Sequence, residues 1–233
     1  MTSDLTTKST PSPTILAQIA TLRLDPARPL LAVDADEVLF YFMRGFAAWL
    51  ENRDLYFDWR SFALAGNIRA RRDDQPVERD AVGGLLQDFF AEATAALEPV
   101  DGAAESLSHL SKHYDIVVLS NLPATAKSAR ETALAHHGMA YPVLTNSGPK
   151  GPAMAALMQG HGNTATSRAS AFVDDIPSHL YSVAIHAPET RRLHFIADPR
   201  LAPLLGPAEH SHVRANSWQE IETDLMAHLG KAG

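Results

Sequence analysis

The chain has 233 residues, 45% of them hydrophobic and 20% charged, with a formal net charge of −7. That length suits one large domain or a domain carrying an insert, and an acidic chain without a basic block speaks against nucleic acid as a partner. Cysteine is absent, which excludes disulfides and thiolate metal sites, and no apolar run approaches the ~18 to 20 residues of a membrane-spanning helix.

Residues 1–13 are rich in Ser, Thr and Pro without a long apolar core. They read as a disordered lead-in and not as a secretory signal. Leu30 to Val33 is the first clear strand, a short apolar run that ends at Asp34-Ala35-Asp36-Glu37. Phe42 to Glu51 follows as a helix with Phe46, Trp49 and Leu50 on one face. Residues 52–78 are polar and broken, with a short helix expected near Trp59 to Leu64. The apolar spacing from Val82 to Leu97 predicts a long amphipathic helix over 78–97, weakened near its start by Gly83 and Gly84.

Pro99 marks a boundary, and Asp101 is placed to cap a helix running through Leu107 and Leu110. Ile116 to Leu119 is a second strand, and Pro123 and Gly138 bracket a helix. A third strand at Val143-Leu144, a helix over 152–159, a fourth strand at Ala171 to Val173 and a fifth at Leu193 to Ile196 complete the alternation. Residues 198–212 form a Pro-rich loop, and Ser217-Trp218-Gln219-Glu220 is a capping box for a last helix with Ile221, Leu225 and Leu229 inward. Strands that are apolar throughout and alternate with helices indicate an α/β fold with a buried parallel sheet. The stretch 43–98 interrupts that alternation as an insert after the first strand.

Polar residues follow the strands in a set. Asp34 and Asp36 end the first, Ser120-Asn121 ends the second, and Asp174-Asp175 ends the fourth, with Lys150 opening a helix in Gly148-Pro149-Lys150-Gly151-Pro152. Parallel strands present the same end to one side, where open α/β sheets bind ligands. Taken alone, Asp34 and Asp36 fit a turn or helix cap, and Ser120-Asn121 an N-cap. Carboxylates brought together repel unless a cation joins them, and Mg²⁺ prefers such oxygen ligands. Ser120 and the backbone N–H groups after it suit a phosphate at a helix start, and Lys150 supplies a charge for the same anion. A carboxylate nucleophile there can attack phosphorus and form an aspartyl-phosphate.

These motifs, in this order and over residues 29–200, resemble those of the haloacid dehalogenase (HAD) superfamily of hydrolases. The resemblance implies a Rossmann-like parallel sheet flanked by helices, with a small α-helical cap inserted after the first strand. The expected division is a disordered 1–13, a catalytic core of 14–42 and 99–233, and a helical cap of 43–98. It implies that Asp34 is the nucleophile and a ligand of Mg²⁺. Asp36 would protonate the leaving group, activate water and lend a backbone carbonyl to the metal. Ser120 and Asn121 would hold the phosphoryl group, and Lys150 would pair with it and with Asp34. Asp175 would ligate the metal directly, and Asp174 directly or through water. Glu37 departs from the pattern, which usually has Gly there.

The expected function is Mg²⁺-dependent hydrolysis of a small phosphorylated metabolite in the cytoplasm, with neither nucleic acid nor membrane as partner and no particular oligomeric state specified. A phosphomutase, a 5′-nucleotidase-like enzyme and a non-catalytic binding protein on the same fold are the alternatives. A halide-releasing hydrolase is disfavoured by Asp36 and the Asp174-Asp175 pair. Arg69, Arg71 and Arg72 read as a solvated basic face beside Asp73-Asp74, with a clamp on a second substrate anion as the other reading. Phe40, Tyr41, Phe42, Phe46 and Trp49 read chiefly as packing between insert and sheet, and the eleven His show no metal-selecting spacing.

Overall fold

The computed structural model describes residues 10–160 and 169–229. The expected lead-in over 1–13 lies mostly outside them. Its end, however, is ordered into a helix, α1 (Pro13–Ala20), whose first turn is capped by Ser12 Oγ accepting the Ile15 N–H at 3.2 Å. Then follow β1 (Leu30–Val33), α2 (Phe42–Glu51), β2 (Leu55–Phe57), β3 (Ile68–Ala70), α3 (Arg79–Ala93) and α4 (Ala103–Leu110). Next come β4 (Asp115–Ser120), α5 (Lys127–His136), β5 (Val143–Thr145), α6 (Gly151–Gly160), β6 (Ser170–Asp174) and α7 (Pro177–His186). The last elements are β7 (Arg191–Phe195), β8 (Val213–Ala215) and α8 (Trp218–Leu229).

Six strands form one parallel sheet in the order β5-β4-β1-β6-β7-β8. Both faces are covered, which is why the strands read as continuous apolar runs. Successive residues point to opposite faces. Leu31, Val33, Ile116, Val118, Ala171 and Val173 join a core with α4, α5 and α8. Leu30, Ala32, Val117, Leu119 and Phe172 join a second core with α1, α6 and α7.

The strand order reverses between β1 and β6, because the chain builds leftward from β1 to β5 and then crosses back. Such a switch point opens a crevice at the strands' carboxyl ends. Register sets what meets there. Val33 lies opposite Val118 on one side and Val173 on the other, so the next residues, Asp34 and Asp174, emerge side by side.

The insert between β1 and β4 holds α2, α3 and a two-stranded antiparallel hairpin of β2 and β3. That hairpin replaces the short helix expected near Trp59 to Leu64. Asn67 explains the difference: its side-chain amide donates to Ala63 O at 2.8 Å and Ser61 Oγ at 2.6 Å, holding the loop open. Phe42, Phe46, Trp49, Phe89 and Phe90 form the insert's aromatic centre, with ring centroids 5.1 to 6.1 Å apart. Its two ends are joined where Tyr41 N–H donates to Glu98 O and Val100 N–H to Leu39 O, both at 2.9 Å.

Asp101 does not cap α4. Gly102 takes the N-cap position at φ 77°, a left-handed conformation that favours glycine, and Asp101 instead accepts the Tyr41 hydroxyl at 3.2 Å. The expected capping box opens α8: Ser217 Oγ accepts the Glu220 N–H at 3.2 Å, while Glu220 reaches back one residue further, to Asn216 N–H at 2.8 Å. Two elements go beyond the expected alternation. One is α7, with Pro177 at its start and Leu180 and Val183 facing inward. The other is β8, which follows the Pro-rich loop.

Candidate active site

Lys150 is the centre of the site. It is fully buried, and its Nζ lies 2.7 Å from Asp34 Oδ1 and 2.7 Å from Asp174 Oδ2. Depth is set by the residue after it. A Cβ on Gly151 would stand 2.2 Å from the Ser182 carbonyl oxygen, so only glycine lets the start of α6 press against α7. Burial works to neutralise the Lys150 ammonium, but Asp174 and Asp34 outweigh it and hold it charged, with its pKa above the ordinary value.

The carboxylates differ among themselves. Asp174 is also buried, yet Lys150 and His179 hold it below the usual carboxylate range. Its Oδ1 accepts the Ile176 N–H at 2.8 Å and lies 3.3 Å from His179 Nδ1, so both of its oxygens are engaged. Burial raises Asp34 to about 6 against the pull of Lys150, with Asp174 and Asp36 adding to the rise. Asp175 is pushed well above its usual value by burial and then by Asp174 and Asp34, and its Oδ1 has no hydrogen-bond partner among the described residues.

Oxygens of Asp34, Asp174 and Asp175 lie within 4.8 Å of one another. Three buried carboxylates against one ammonium leave an excess of negative charge. A divalent cation would cancel that excess and would supply the partner that Asp175 Oδ1 lacks. All-oxygen donors at this spacing fit a hard ion such as Mg²⁺.

Asp36 is not part of this cluster, although it lines the same cavity as Asp34 and Asp175. Its Oδ1 forms an ion pair with Nη2 of Arg130, a fully buried side chain on α5 that also lies 4.9 Å over the Phe40 ring. The remaining Arg130 donors, Nε and Nη1, have no partner among the described residues. Arg130 is not among the residues that the sequence motifs place at the site.

Glu37, the residue that departs from the expected motif, has a φ of 58°, the left-handed conformation that glycine tolerates best. Its side chain is buried and does two jobs. Oε1 accepts the Met43 N–H at 2.7 Å, satisfying a free donor in the first turn of α2, and Oε2 accepts the Asp198 N–H at 3.0 Å. Burial nonetheless raises its pKa to about 7 despite those two donors.

Ser120 is fully buried, and its Oγ accepts the Leu122 N–H at 3.3 Å. Asn121 reaches the site's edge. Its Nδ2 donates to Gly148 O at 2.9 Å and lies 3.3 Å from His179 Nε2, while its Oδ1 accepts from Asn146 at 2.9 Å. His179, on α7, thus joins Asn121 to Asp174. His194 is a further buried imidazole: Nε2 lies 2.9 Å from the Asp175 carbonyl, and Nδ1 accepts the Ala208 N–H at 3.0 Å. Burial, with Arg214 nearby, lowers its pKa to about 4.

A cavity of about 440 Å³ opens on this edge. Asp34, Asp36, Glu37, Asn121 and Asp175 line one side, and the insert's Phe42, Met43, Phe62, Leu64, Leu86 and Phe90 line the other. The insert arginines do not reach it. Arg69 pairs with Asp74 at 2.9 Å, Arg71 with Glu51 at 3.1 Å and Arg72 with Asp73 at 3.0 Å; Arg71 and Arg72 are exposed and Arg69 is half-buried. Of the aromatic set, Phe42 alone lines the cavity and the others pack.

No family model and no curated protein matches the sequence. Solved structures do match by shape. A conserved haloacid dehalogenase-like protein from Agrobacterium tumefaciens superposes with a TM-score of 0.59 at 15% identity, over 86% of this chain and 99% of that one. A HAD family hydrolase from Deinococcus radiodurans, with bound phosphate and sodium, gives 0.58 at 16% identity, over 88% and 97%. A predicted phosphoglycolate phosphatase from Haemophilus somnus gives 0.57 at 12% identity, over 85% and 98%. At these identities the likeness is one of fold, and the chain has the haloacid dehalogenase-like fold.

Proposed function

We propose that the protein is a Mg²⁺-dependent phosphomonoester hydrolase that works through an aspartyl-phosphate on a small phosphorylated molecule. The observation that carries this reading is the Asp34–Lys150–Asp174 arrangement beside an Asp175 oxygen that has no hydrogen-bond partner among the described residues. It is supported by the fold shared with a phosphate-bound hydrolase and a predicted phosphatase.

In this reading Asp34 attacks phosphorus, and the bond from phosphorus to the leaving alcohol breaks. Lys150 keeps Asp34 charged and in place, and its own charge offsets that of the transferring group. Asp36 gives a proton to the leaving oxygen and then takes one from the water that attacks phosphorus, the Asp34–phosphorus bond breaking to release inorganic phosphate and restore the carboxylate, with Arg130 fixing the direction of Asp36. Ser120, Asn121 and the backbone N–H groups after β4 hold the phosphoryl oxygens. Asp34, Asp175, the Asp36 backbone carbonyl and Asp174, directly or through water, would hold Mg²⁺. When bound, that ion supplies charge neutralisation at the phosphoryl oxygens.

The division proposed is a core of 14–42 and 99–233 with the 43–98 segment as a cap, whose closure excludes water. No helix among the described residues is long and apolar enough to cross a membrane. With no cysteine in the chain, a cytoplasmic location is the proposal that fits.

Phosphate release from a metabolite panel, with Mg²⁺ and with EDTA, tests the reading. Asp34→Asn should lower kcat by about 10⁴-fold or more while the circular-dichroism spectrum is unchanged. Full Mg²⁺-dependent activity in that variant would remove Asp34 as the nucleophile.

A further inference from the structure

The insert side of the cavity is built from side chains without charge. Phe42, Met43, Phe62, Leu64, Leu86 and Phe90 come from two helices and the hairpin loop, and among the described residues no Lys or Arg lines the cavity. The wall is also firm: the Phe42 ring stacks on Phe46 at 5.8 Å and lies 5.5 Å from Phe90. Of the described lining residues, His179 alone can carry positive charge, and it is engaged by Asp174 and Asn121.

The cations near the cavity do not line it. Lys150 bridges Asp34 to Asp174, and Arg130 is fully buried with its Nη2 on Asp36, although its Nε and Nη1 have no partner among the described residues. The insert's Arg69, Arg71 and Arg72 pair with Asp74, Glu51 and Asp73. On the sheet side the cavity presents Glu37 and Asp36, so a carboxylate or second phosphate on the substrate would meet like charge and an apolar wall together.

We propose that the substrate is a monophosphate ester of an apolar, uncharged alcohol, with the alcohol's hydrocarbon or aromatic body seated against Phe42, Phe62, Leu86 and Phe90. This rests on the phosphohydrolase reading and adds the class of leaving group to it. A cavity of about 440 Å³ holds such a group together with the phosphoryl end.

The test compares esters that all release alcohols, so that leaving-group reactivity does not decide the outcome. 2-Phenylethyl phosphate and n-hexyl phosphate are set against phosphoglycolate and glycerol 3-phosphate, with Mg²⁺ and the full chain. The expected result is a kcat/KM about 100-fold higher for the apolar esters, the scale set by burying a ring or a six-carbon chain. Leu86→Lys, at a half-buried helix position, should narrow that ratio at least about tenfold by offering phosphoglycolate a cation. Phe62→Ala, on a loop, should raise KM for 2-phenylethyl phosphate about tenfold and leave KM for methyl phosphate nearly unmoved. Equal or higher kcat/KM on phosphoglycolate overturns the assignment alone. Failure to release phosphate from any ester, p-nitrophenyl phosphate included, overturns the hydrolase reading and this assignment with it.

Discussion

The cavity has two walls made in different ways. The polar wall stands on strand ends, where the register of β4, β1 and β6 dictates which side chains emerge together. The apolar wall is assembled from α2, α3 and the loop between β2 and β3, which meet only through tertiary packing. The first wall is held by buried charge and the second by rings in contact. In the proposed reading specificity divides along the same line: the reaction belongs to the sheet edge, the choice of alcohol to the insert.

Removing the charge balance should strain the polar wall most. Lys150→Met leaves Asp34, Asp174 and Asp175 buried without their ammonium, and should cost about 3–5 kcal/mol in urea unfolding. Adding Mg²⁺ should restore part of that loss, because the carboxylates then have a cation again. A variant as stable as the wild type without metal would mean the cluster is not held by charge.

Glu37 joins the two walls, and its titration tests how tightly they are coupled. Its folded pKa of about 7 lies above the ordinary value of 4.5. The folded protein therefore binds that proton more tightly than the unfolded chain does. This contribution to stability is full below about pH 4.5 and is lost as pH rises through about 7, at most about 3 kcal/mol. In EDTA, wild-type stability should fall between pH 5 and 8 more than that of Glu37→Gln, which cannot ionise. Parallel curves for the two proteins would place the titration elsewhere.

Smaller effects follow for residues that only orient. Arg130→Met frees Asp36 to turn and should lower kcat about 100-fold with little change in KM, measured on the best ester of the panel. Arg71→Ala and Arg72→Ala remove exposed ion pairs of the insert. Each should shift stability by less than about 1 kcal/mol and leave kcat/KM unaltered. A marked loss of activity in either would bring a cation into the apolar wall.

The polar wall is legible in the amino-acid sequence because its residues follow short apolar runs, and order along the chain carries over to position on the sheet edge. Asp34, Asp174 and Asp175 meet for that reason, and Lys150 joins them from the start of α6. Arg130 is not legible in that way: it shares a helix face with Ala133 and Leu134, and only the approach of Asp36 and Phe40 gives a reason for burying an arginine there. His179 lies on a helix whose signals, Pro177 at the start and Leu180 and Val183 inward, are present but too brief to stand out between two strands. The hairpin is hidden by length, since strands of three residues show no period, and Asn67 acts through its side chain instead of through pattern. Glu37 acquires its role only from where its two oxygens point.

The burial of Lys150 also makes it a chemical reporter. Lys112 is exposed and Lys127 half-buried, so an amine-directed acylating reagent reaches both in the folded protein. Lys150, fully enclosed and held as an ammonium, offers such a reagent neither access nor a free electron pair. Its acylation therefore counts the occasions on which the sheet edge comes apart, and the rate of labelling at that one position is a clock for the opening of that edge.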